Sequence, residues 1–121
     1  MRFPLIFRRA YATGGLNGYN SWVSVSVPGG GTANLTIEAV NDPTSGAPGC
    51  AAAYTSTVTK TITGSFIFYQ NLDADNGFSP NPACFWGGIT ITSNVPINAI
   101  GNVTTDLRSG DNDGLYNGFS E

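Results

Sequence analysis

The stretch Thr32-Ala33-Asn34-Leu35-Thr36-Ile37-Glu38-Ala39 alternates polar and apolar side chains at every position. Successive side chains of a β-strand point to opposite faces of the sheet, so a period of two is typical of a half-buried strand. We therefore predict a strand whose apolar side chains face a core and whose polar side chains face solvent. The predicted inward positions are Ala33, Leu35, Ile37 and Ala39.

The same alternation recurs along most of the chain. Val23, Val25 and Val27 alternate with serines, and threonine occupies every second position from 55 to 63. Residues 65–69 differ because they are apolar on both faces, which predicts a strand that is central or covered. Strands predicted from the pattern lie within residues 22–27, 32–39, 54–63, 65–69, 89–92, 95–103 and 115–119.

Turns rich in Gly, Pro and Asn separate these runs, and no long stretch has helical periodicity. Together with an N-terminal segment, the runs amount to about eight short strands in 121 residues. This pattern predicts an all-β fold, an immunoglobulin-like two-sheet β-sandwich of about 7–8 short strands. We expect residues 1–20 to form an extended strand and linker, a candidate donor strand, and residues 21–121 to form the sandwich domain.

The N-terminal segment, residues 1–9, contains a run of apolar residues from Phe3 to Phe7. An extended conformation would place Phe3, Leu5 and Phe7 on one side and Pro4 and Ile6 on the other. Proline has no N–H to donate, which restricts this strand to a sheet edge or a strand start. Burial is worth roughly 1.5–3 kcal/mol for each large apolar side chain, so the segment must dock.

Two docking modes are open for this segment. It either forms the first edge strand of its own sandwich or adds to the open sheet of a neighbouring subunit. In the second mode the assembly strand consists of Phe3, Leu5, Ile6 and Phe7.

The composition argues against several classes of protein. Only 11% of the residues are charged, against roughly 25% in typical globular domains. The five basic residues are scattered, whereas a phosphate backbone binds clustered Lys and Arg, so no nucleic-acid partner is expected. No apolar run approaches the roughly 20 residues that span a bilayer, so no membrane span is expected. The sequence has no histidine, which removes Ser-His-Asp and Cys-His catalysis, and we expect a protein that is not an enzyme.

The two cysteines, Cys50 and Cys84, allow one disulfide. A bridge at this spacing would stabilise the fold by roughly 3–4 kcal/mol on the loop-entropy estimate. The alternative is two unrelated buried thiols. A disulfide and a low charge content suit an extracellular or cell-surface location.

Carboxylates in two Gly-containing loops are the only candidate metal ligands. Asp73 and Asp75 occupy alternate positions before a glycine, and Asp111 and Asp113 repeat the pattern. Oxygen ligands in this arrangement suit calcium, although Asp, Asn and Gly are also the ordinary residues of turns. Calcium is therefore a candidate ligand, and no other cofactor is expected.

Two further groups of residues are candidates for contact with sugars. Asn34 and Asn102 begin Asn-X-Thr sequons, and the strand alternation predicts that both side chains face outward, where a glycan could be attached. Sequons also arise by chance in a chain rich in Asn and Thr. Phe85 and Trp86, in the long 71–88 loop, could stack on a sugar ring, or they could pack within the sandwich.

Several short motifs recur in a characteristic order, most of them in the second half of the chain. They are Thr63-Gly64-Ser65-Phe66-Ile67-Phe68-Tyr69-Gln70, then Gly87-Gly88-Ile89-Thr90-Ile91-Thr92-Ser93-Asn94-Val95-Pro96-Ile97-Asn98-Ala99-Ile100, then Leu115-Tyr116-Asn117-Gly118-Phe119, and near the start of the chain Pro4-Leu5-Ile6-Phe7 followed by Tyr19-Asn20-Ser21-Trp22-Val23-Ser24-Val25. This order resembles the immunoglobulin-like β-sandwich repeat modules of large bacterial extracellular proteins. The cysteine pair and the loop insertion depart from that pattern. The resemblance implies a tandem or polymerised surface element and carries over no catalytic residue.

The expected function follows from these features. We expect a structural subunit or repeat module of an extracellular filament or cell-surface protein, joined through β-strand contacts to copies of itself or to adjacent repeats. The alternative is a carbohydrate-binding or adhesin module that contacts surface glycans through the 71–88 loop.

Overall fold

The computed structural model describes residues 1–69, 83–108 and 113–118. Within these ranges the chain forms β-strands and one short 3-10 turn, Pro28–Gly30, and no helix is long and apolar enough to cross a membrane. The strands are β1 (Arg2–Arg8), β2 (Tyr19–Ser26), β3 (Thr32–Asn41), β4 (Thr55–Thr63), β5 (Ser65–Tyr69), β6 (Phe85–Ser93), β7 (Asn98–Thr105) and β8 (Gly114–Asn117).

These eight strands form two antiparallel sheets of four strands each, which confirms the predicted two-sheet β-sandwich. Sheet A has the order β1-β6-β3-β4, and sheet B has the order β5-β2-β7-β8. Only β3–β4 and β7–β8 are sequential neighbours within a sheet, and every other connection crosses between sheets. The single residue Gly64, at φ 75°, carries the chain from β4 in sheet A to β5 in sheet B. A positive φ is accessible to glycine without a steric penalty.

The two sheets share one internal order. Moving each strand of sheet A four places along the chain gives the order of sheet B, with β1 becoming β5 and β6 becoming β2. The first four strands and the last four are therefore equivalent in connectivity. In this scheme β1 and β5 are counterparts, and each lies at one edge of its sheet.

The core lies between the sheets and follows the predicted alternation. The inward residues of β3, which are Ala33, Leu35, Ile37 and Ala39, are all buried. The largest fully buried side chains come from both sheets and are Phe3, Phe85, Ile6, Leu35, Ile37, Ile89, Ile91, Val23 and Val25.

The prediction for residues 65–69 is wrong. Their apolar character on both faces predicted a central or covered strand, yet β5 is an edge strand that pairs, among the described strands, with β2 alone. Phe66 packs against the core, and Ile67 on the opposite face is 55% exposed. The outer side of β5 is thus apolar without a covering element in the described part of the chain.

Candidate assembly site around strand β1

Strand β1 lies at the edge of sheet A and pairs antiparallel with β6 of the same chain. Phe3, Ile6 and Phe7 are 0%, 1% and 7% exposed, whereas Leu5 is 49% exposed. The predicted set of Phe3, Leu5 and Phe7 on one face is therefore wrong. The pairing register shifts between Phe3 and Ile6, and the extra residue in this bulge turns Ile6 inward and Leu5 outward.

Side chains of sheet B hold the outer edge of β1. The Phe7 N–H donates a buried hydrogen bond to Ser21 Oγ at 3.0 Å, and the Tyr116 hydroxyl donates to the Leu5 carbonyl. The Tyr116 ring also meets Phe3 edge-on, with centroids 5.6 Å apart. Burial raises the pKa of Tyr116 to about 12, so this hydroxyl stays protonated and remains a donor. Sequence reasoning missed Ser21 and Tyr116.

Two glycines leave the space that β1 occupies. A Cβ on Gly101 would lie 3.0 Å from Phe3 Cδ1 and 3.0 Å from the Tyr116 ring. A Cβ on Gly118, which follows β8, would lie 2.7 Å from Phe3 Cζ. We call the surface that β1 fills, formed by β6 with Ser21, Gly101 and Tyr116, the β1 groove.

An aromatic cluster packs where β1 ends. The Phe7 and Trp86 rings meet edge-on at 4.8 Å between centroids, and Tyr11 contacts Trp86 in the same way at 5.7 Å. Tyr19 lies against Phe7 at 5.7 Å. These four aromatics hold the end of β1 against the starts of β2 and β6.

A disulfide lies beside the aromatic cluster. Cys50 and Cys84 are bonded, with 4.9 Å between their Cα atoms, which confirms the predicted bridge. Asn41, which is 5% exposed, fixes the neighbouring backbone. Its amide nitrogen donates to the Cys50 and Ala52 carbonyls at 2.8 and 2.7 Å, and its oxygen accepts from the Trp86 N–H at 2.9 Å. The bridge and Asn41 together tie the β3–β4 loop to the start of β6.

The linker between β1 and β2 is folded tightly. Arg9 and Tyr11 have φ angles of 48° and 61°, a region that few non-glycine residues adopt. The carboxylate of Asp106 accepts hydrogen bonds from the N–H groups of Asn17 and Gly18, at 2.7 and 2.8 Å. These bonds, the Asn17 bond first, lower the pKa of Asp106. The end of β7 thereby holds the linker in place.

The two aromatics predicted as ligand contacts differ in position. Phe85 is completely buried and meets Tyr54 edge-on at 5.9 Å between centroids, so its prediction as a sugar-stacking residue is wrong. Trp86 is half-buried in the aromatic cluster between Phe7 and Tyr11. Both side chains therefore pack within the sandwich. Phe85 is the first residue of β6, and the alternation along β6 places it on the side that faces the core.

The two sequon asparagines also differ. Asn34 is exposed on β3, as predicted, and its side-chain oxygen accepts a hydrogen bond from Thr61 Oγ1 at 2.9 Å. Asn102 is only 3% exposed, so the prediction that it is accessible is wrong. It lies on β7 between Trp22 of β2 and Leu115 of β8, and its Oδ1 atom has no hydrogen-bond partner in the described structure. Glycan attachment at Asn34 stays a prediction.

Most of the candidate calcium ligands fall outside the described ranges. Asp73, Asp75 and Asp111 lie in residues 70–82 and 109–112, and Asp113 is exposed just before β8. Among the described residues, no three or more His, Cys, Asp or Glu side chains come together in a group that could hold a metal ion. Calcium binding stays a prediction.

No protein-family model, curated protein or solved structure matches the chain. The resemblance to bacterial extracellular repeat modules therefore stays a prediction.

Proposed function

We propose that the chain is a structural subunit or repeat module of an extracellular filament or cell-surface protein, in which β1 of one copy lies along β6 of the next. The observation that supports this most strongly is the position of β1. It supplies three side chains to the core, yet it pairs with a single strand at the edge of a sheet. Its contacts could be made equally by the same strand of a neighbouring copy.

Simple addition of strands at the edges of sheet A is disfavoured. On β1, Pro4 lacks an N–H, the backbone bulges between Phe3 and Ile6, and outer-edge groups already bond to sheet B. On β4, Lys60 occupies an inward position and places its ammonium 5.7 Å from the centre of the Phe66 ring. An inward-pointing charge is a common device against edge pairing. Exchange of β1 between copies would form a strand contact without adding a strand to the outer edge of β1 or of β4.

The linker supports exchange in two ways. Residues 9–18 would span roughly 33–36 Å when extended, on the order of the diameter of a domain of this size. In the folded form the linker holds Arg9 and Tyr11 at positive φ, which costs of order 1–3 kcal/mol for each such residue. Extension between copies would release that strain.

An engineered disulfide between β1 and β6 tests the proposal directly. Met1 and Ile91 exchange two backbone hydrogen bonds, of 2.7 and 2.8 Å, so the next pair, Arg2 and Thr90, is a non-hydrogen-bonded pair. Such pairs have Cα atoms about 4.5 Å apart, within the range that a disulfide bridges. The variant Arg2→Cys/Thr90→Cys is assembled from a mixture of isotopically heavy and light copies and then oxidised.

We expect mass spectrometry to find residue 2 of heavy copies bonded to residue 90 of light copies, and non-reducing gels to show a ladder. The control Thr36→Cys/Thr59→Cys places cysteines at opposed positions of the β3–β4 hairpin and should give bonds within one chain only. Fibres or oligomers whose β1 bonds all lie within one chain would refute the proposal. A chain that never assembles would refute it as well.

A further inference from the structure

Asn-Gly dipeptides occur three times in the chain, at residues 17–18, 76–77 and 117–118. The first and the third lie in the described part of the chain, where Asn17 and Asn117 are both exposed. Each has a bulky residue before it and an aromatic residue after its glycine. Glycine has no Cβ, so its backbone nitrogen can approach the side-chain amide of the preceding asparagine with little steric hindrance. Spontaneous deamidation is therefore fastest at Asn-Gly, and the intrinsic rates at the two sites should be similar.

Deamidation closes a ring between the asparagine side chain and the next residue of the chain. The glycine nitrogen forms a bond to Cγ, the bond from Cγ to the side-chain nitrogen breaks, and the proton of the glycine N–H leaves with that nitrogen as ammonia. Water then adds to either carbonyl of the succinimide ring, which gives aspartate or isoaspartate and one new negative charge. Ring closure requires the glycine N–H to leave its hydrogen-bond acceptor and the asparagine side chain to leave its donor. The hydrogen bonds of the folded chain therefore control the rate at each site.

At Asn17 the reacting groups are held by the end of β7 and by the linker. The Gly18 N–H donates to Asp106 Oδ1 at 2.8 Å, and Asn17 Oδ1 accepts from Arg9 Nη1 at 2.9 Å. Each of these bonds involves a charged side chain, which strengthens it. Gly18 is also packed closely, since a Cβ there would collide with the Ala10 carbonyl oxygen. The Gly18 nitrogen therefore cannot turn towards the Asn17 side chain unless this part of the linker opens.

Asn117 is held less firmly. It is the last residue of β8, a strand of four residues at the edge of sheet B. The Gly118 nitrogen lies 3.5 Å from the Ala99 carbonyl oxygen, beyond the usual hydrogen-bond range of about 2.7–3.2 Å. The ends of short edge strands open at little cost in free energy. The Gly118 nitrogen can therefore reach Asn117 Cγ after a small local opening.

We propose that Asn117 is a site of spontaneous deamidation in the folded chain, whereas the folded linker protects Asn17. The reaction requires only water, because the nucleophile is a backbone nitrogen of the same chain. It needs no contact between copies, so it is independent of the proposed exchange of β1.

Deamidation at this site alters the β1 groove. A Cβ on Gly118 would lie 2.7 Å from Phe3 Cζ, so the Gly118 backbone lies directly against β1. Isoaspartate carries the main chain through the former side chain and adds one methylene between residues 117 and 118. The added atom must press Gly118 against Phe3 or displace the neighbouring Tyr116, whose hydroxyl donates to the Leu5 carbonyl. We therefore expect modified chains to hold β1 less tightly.

Peptide mapping of aged protein tests the inference. The intact chain is incubated in mildly alkaline buffer, either folded or in urea, and mass spectrometry with electron-based fragmentation measures aspartate and isoaspartate at residues 17 and 117. In the folded chain we expect Asn117 to react at least about tenfold faster than Asn17, because the linker must open before Asn17 can react. In urea the two rates should be similar. Similar rates in the folded chain, faster reaction at Asn17, or reaction of Asn117 in urea alone would overturn the inference.

Asp106→Ala separates protection by hydrogen bonds from differences in intrinsic rate. The variant should deamidate at Asn17 roughly two- to fivefold faster than the wild type, since exposed charged groups contribute only modestly, and its rate at Asn117 should not change. Glu38→Ala is the matched control, because it removes an exposed carboxylate from β3 and should leave both rates unchanged. An unchanged rate at Asn17 in Asp106→Ala would assign the protection to other contacts. A slower rate would show that the carboxylate promotes ring closure, and either result would overturn the protective role of Asp106.

Hydrogen exchange measures the effect on β1. Chains with isoaspartate at residue 117 are separated from unmodified chains by chromatography. We expect the protection of the β1 amides to fall several-fold on modification, while that of β3 falls less. Asn117→Gln, whose longer side chain cyclises far more slowly, is aged in the same way and should keep its β1 protection. Equal losses in β1 and β3, or no loss in β1, would show that Gly118 does not transmit the change to β1.

Discussion

Sheet A and sheet B have the same internal strand order but opposite outer surfaces. Sheet A shows solvent a row of threonines on β4 together with the charged residues Arg2 and Glu38, whereas the strands of sheet B carry no charge and show isoleucine, leucine, serine and asparagine. Sheet A is the sheet that contains β1, the proposed exchanged strand. Charged and threonine side chains thus cover the sheet that contains β1, whereas the uncharged sheet B has apolar surface that the described chain does not cover.

The largest expected effect is on the free energy of unfolding, and it tests whether the inward side chains of β1 are packed as tightly as those of an internal strand. Phe3→Ala should lower the free energy of unfolding by about 3–5 kcal/mol, because the ring is completely buried between Gly101 and Tyr116. Urea denaturation followed by fluorescence measures this. Leu5→Ala is the matched control on the same strand and should cost less than about 1 kcal/mol, since Leu5 is half-exposed. Equal losses of unfolding free energy in the two variants would show that β1 does not pack with Phe3 buried and Leu5 exposed.

Removal of the disulfide is expected to have the next largest effect. The bridge closes a loop with a sequence separation of 34 and anchors the start of β6, on which β1 lies. Cys50→Ala/Cys84→Ala should therefore lower the unfolding free energy by roughly 3–4 kcal/mol, chiefly by freeing the unfolded chain. Denaturation of the wild-type chain with and without reductant provides the control. A change below about 1 kcal/mol would show that the loop is held by Asn41 and packing instead.

Sequence periodicity predicted most of the sandwich and failed at particular residues. The alternation in β2, β3 and β4 was sufficient to assign their inward sides. It failed at β1, because a β-bulge between Phe3 and Ile6 exchanges the faces on which Leu5 and Ile6 lie, and no residue type in the segment predicts that bulge. It failed at Asn102, because burial of an outward position depends on neighbouring strands that a single segment does not specify.

The candidate site was predictable only in part. The apolar segment and Pro4 identified β1 as an edge strand that had to dock. The residues that receive it, Ser21 and Tyr116, come from β2 and β8 and lie 14 and 111 residues away from their partners in sequence. Nothing local connects them to β1, so only the pairing of strands brings them together.

A pair of exchanged substitutions sharpens the contrast between the two outer faces. Ile100→Thr makes sheet B resemble sheet A, and Thr36→Ile does the reverse. Both positions are on exposed faces, so each change should alter the unfolding free energy by no more than about 0.5 kcal/mol. The solubility limits should move in opposite directions, upward for Ile100→Thr and downward for Thr36→Ile. A change of both solubility limits in the same direction would show that the outer faces of the two sheets do not differ in this respect.

The smallest expected effect concerns the hydrogen bonds between Asp106, at the end of β7, and the β1–β2 linker. Asp106 is exposed, so solvent screens its interactions. Its two oxygens accept from two N–H groups, of Asn17 and Gly18, whereas an amide offers one acceptor. The folded pKa of Asp106 lies below its ordinary value, so the stabilisation that its charge gives the folded state is present above the ordinary carboxyl pKa and is lost as the pH falls through the folded pKa.

Asp106→Asn should therefore have a lower melting temperature than the wild type near neutral pH, and the melting temperatures of the two proteins should converge in acid. Because linker release would also favour exchange, acid should increase strand exchange in the wild type and leave it unchanged in the variant. A difference in melting temperature that persists in acid would assign the effect to packing of the side chain rather than to its charge.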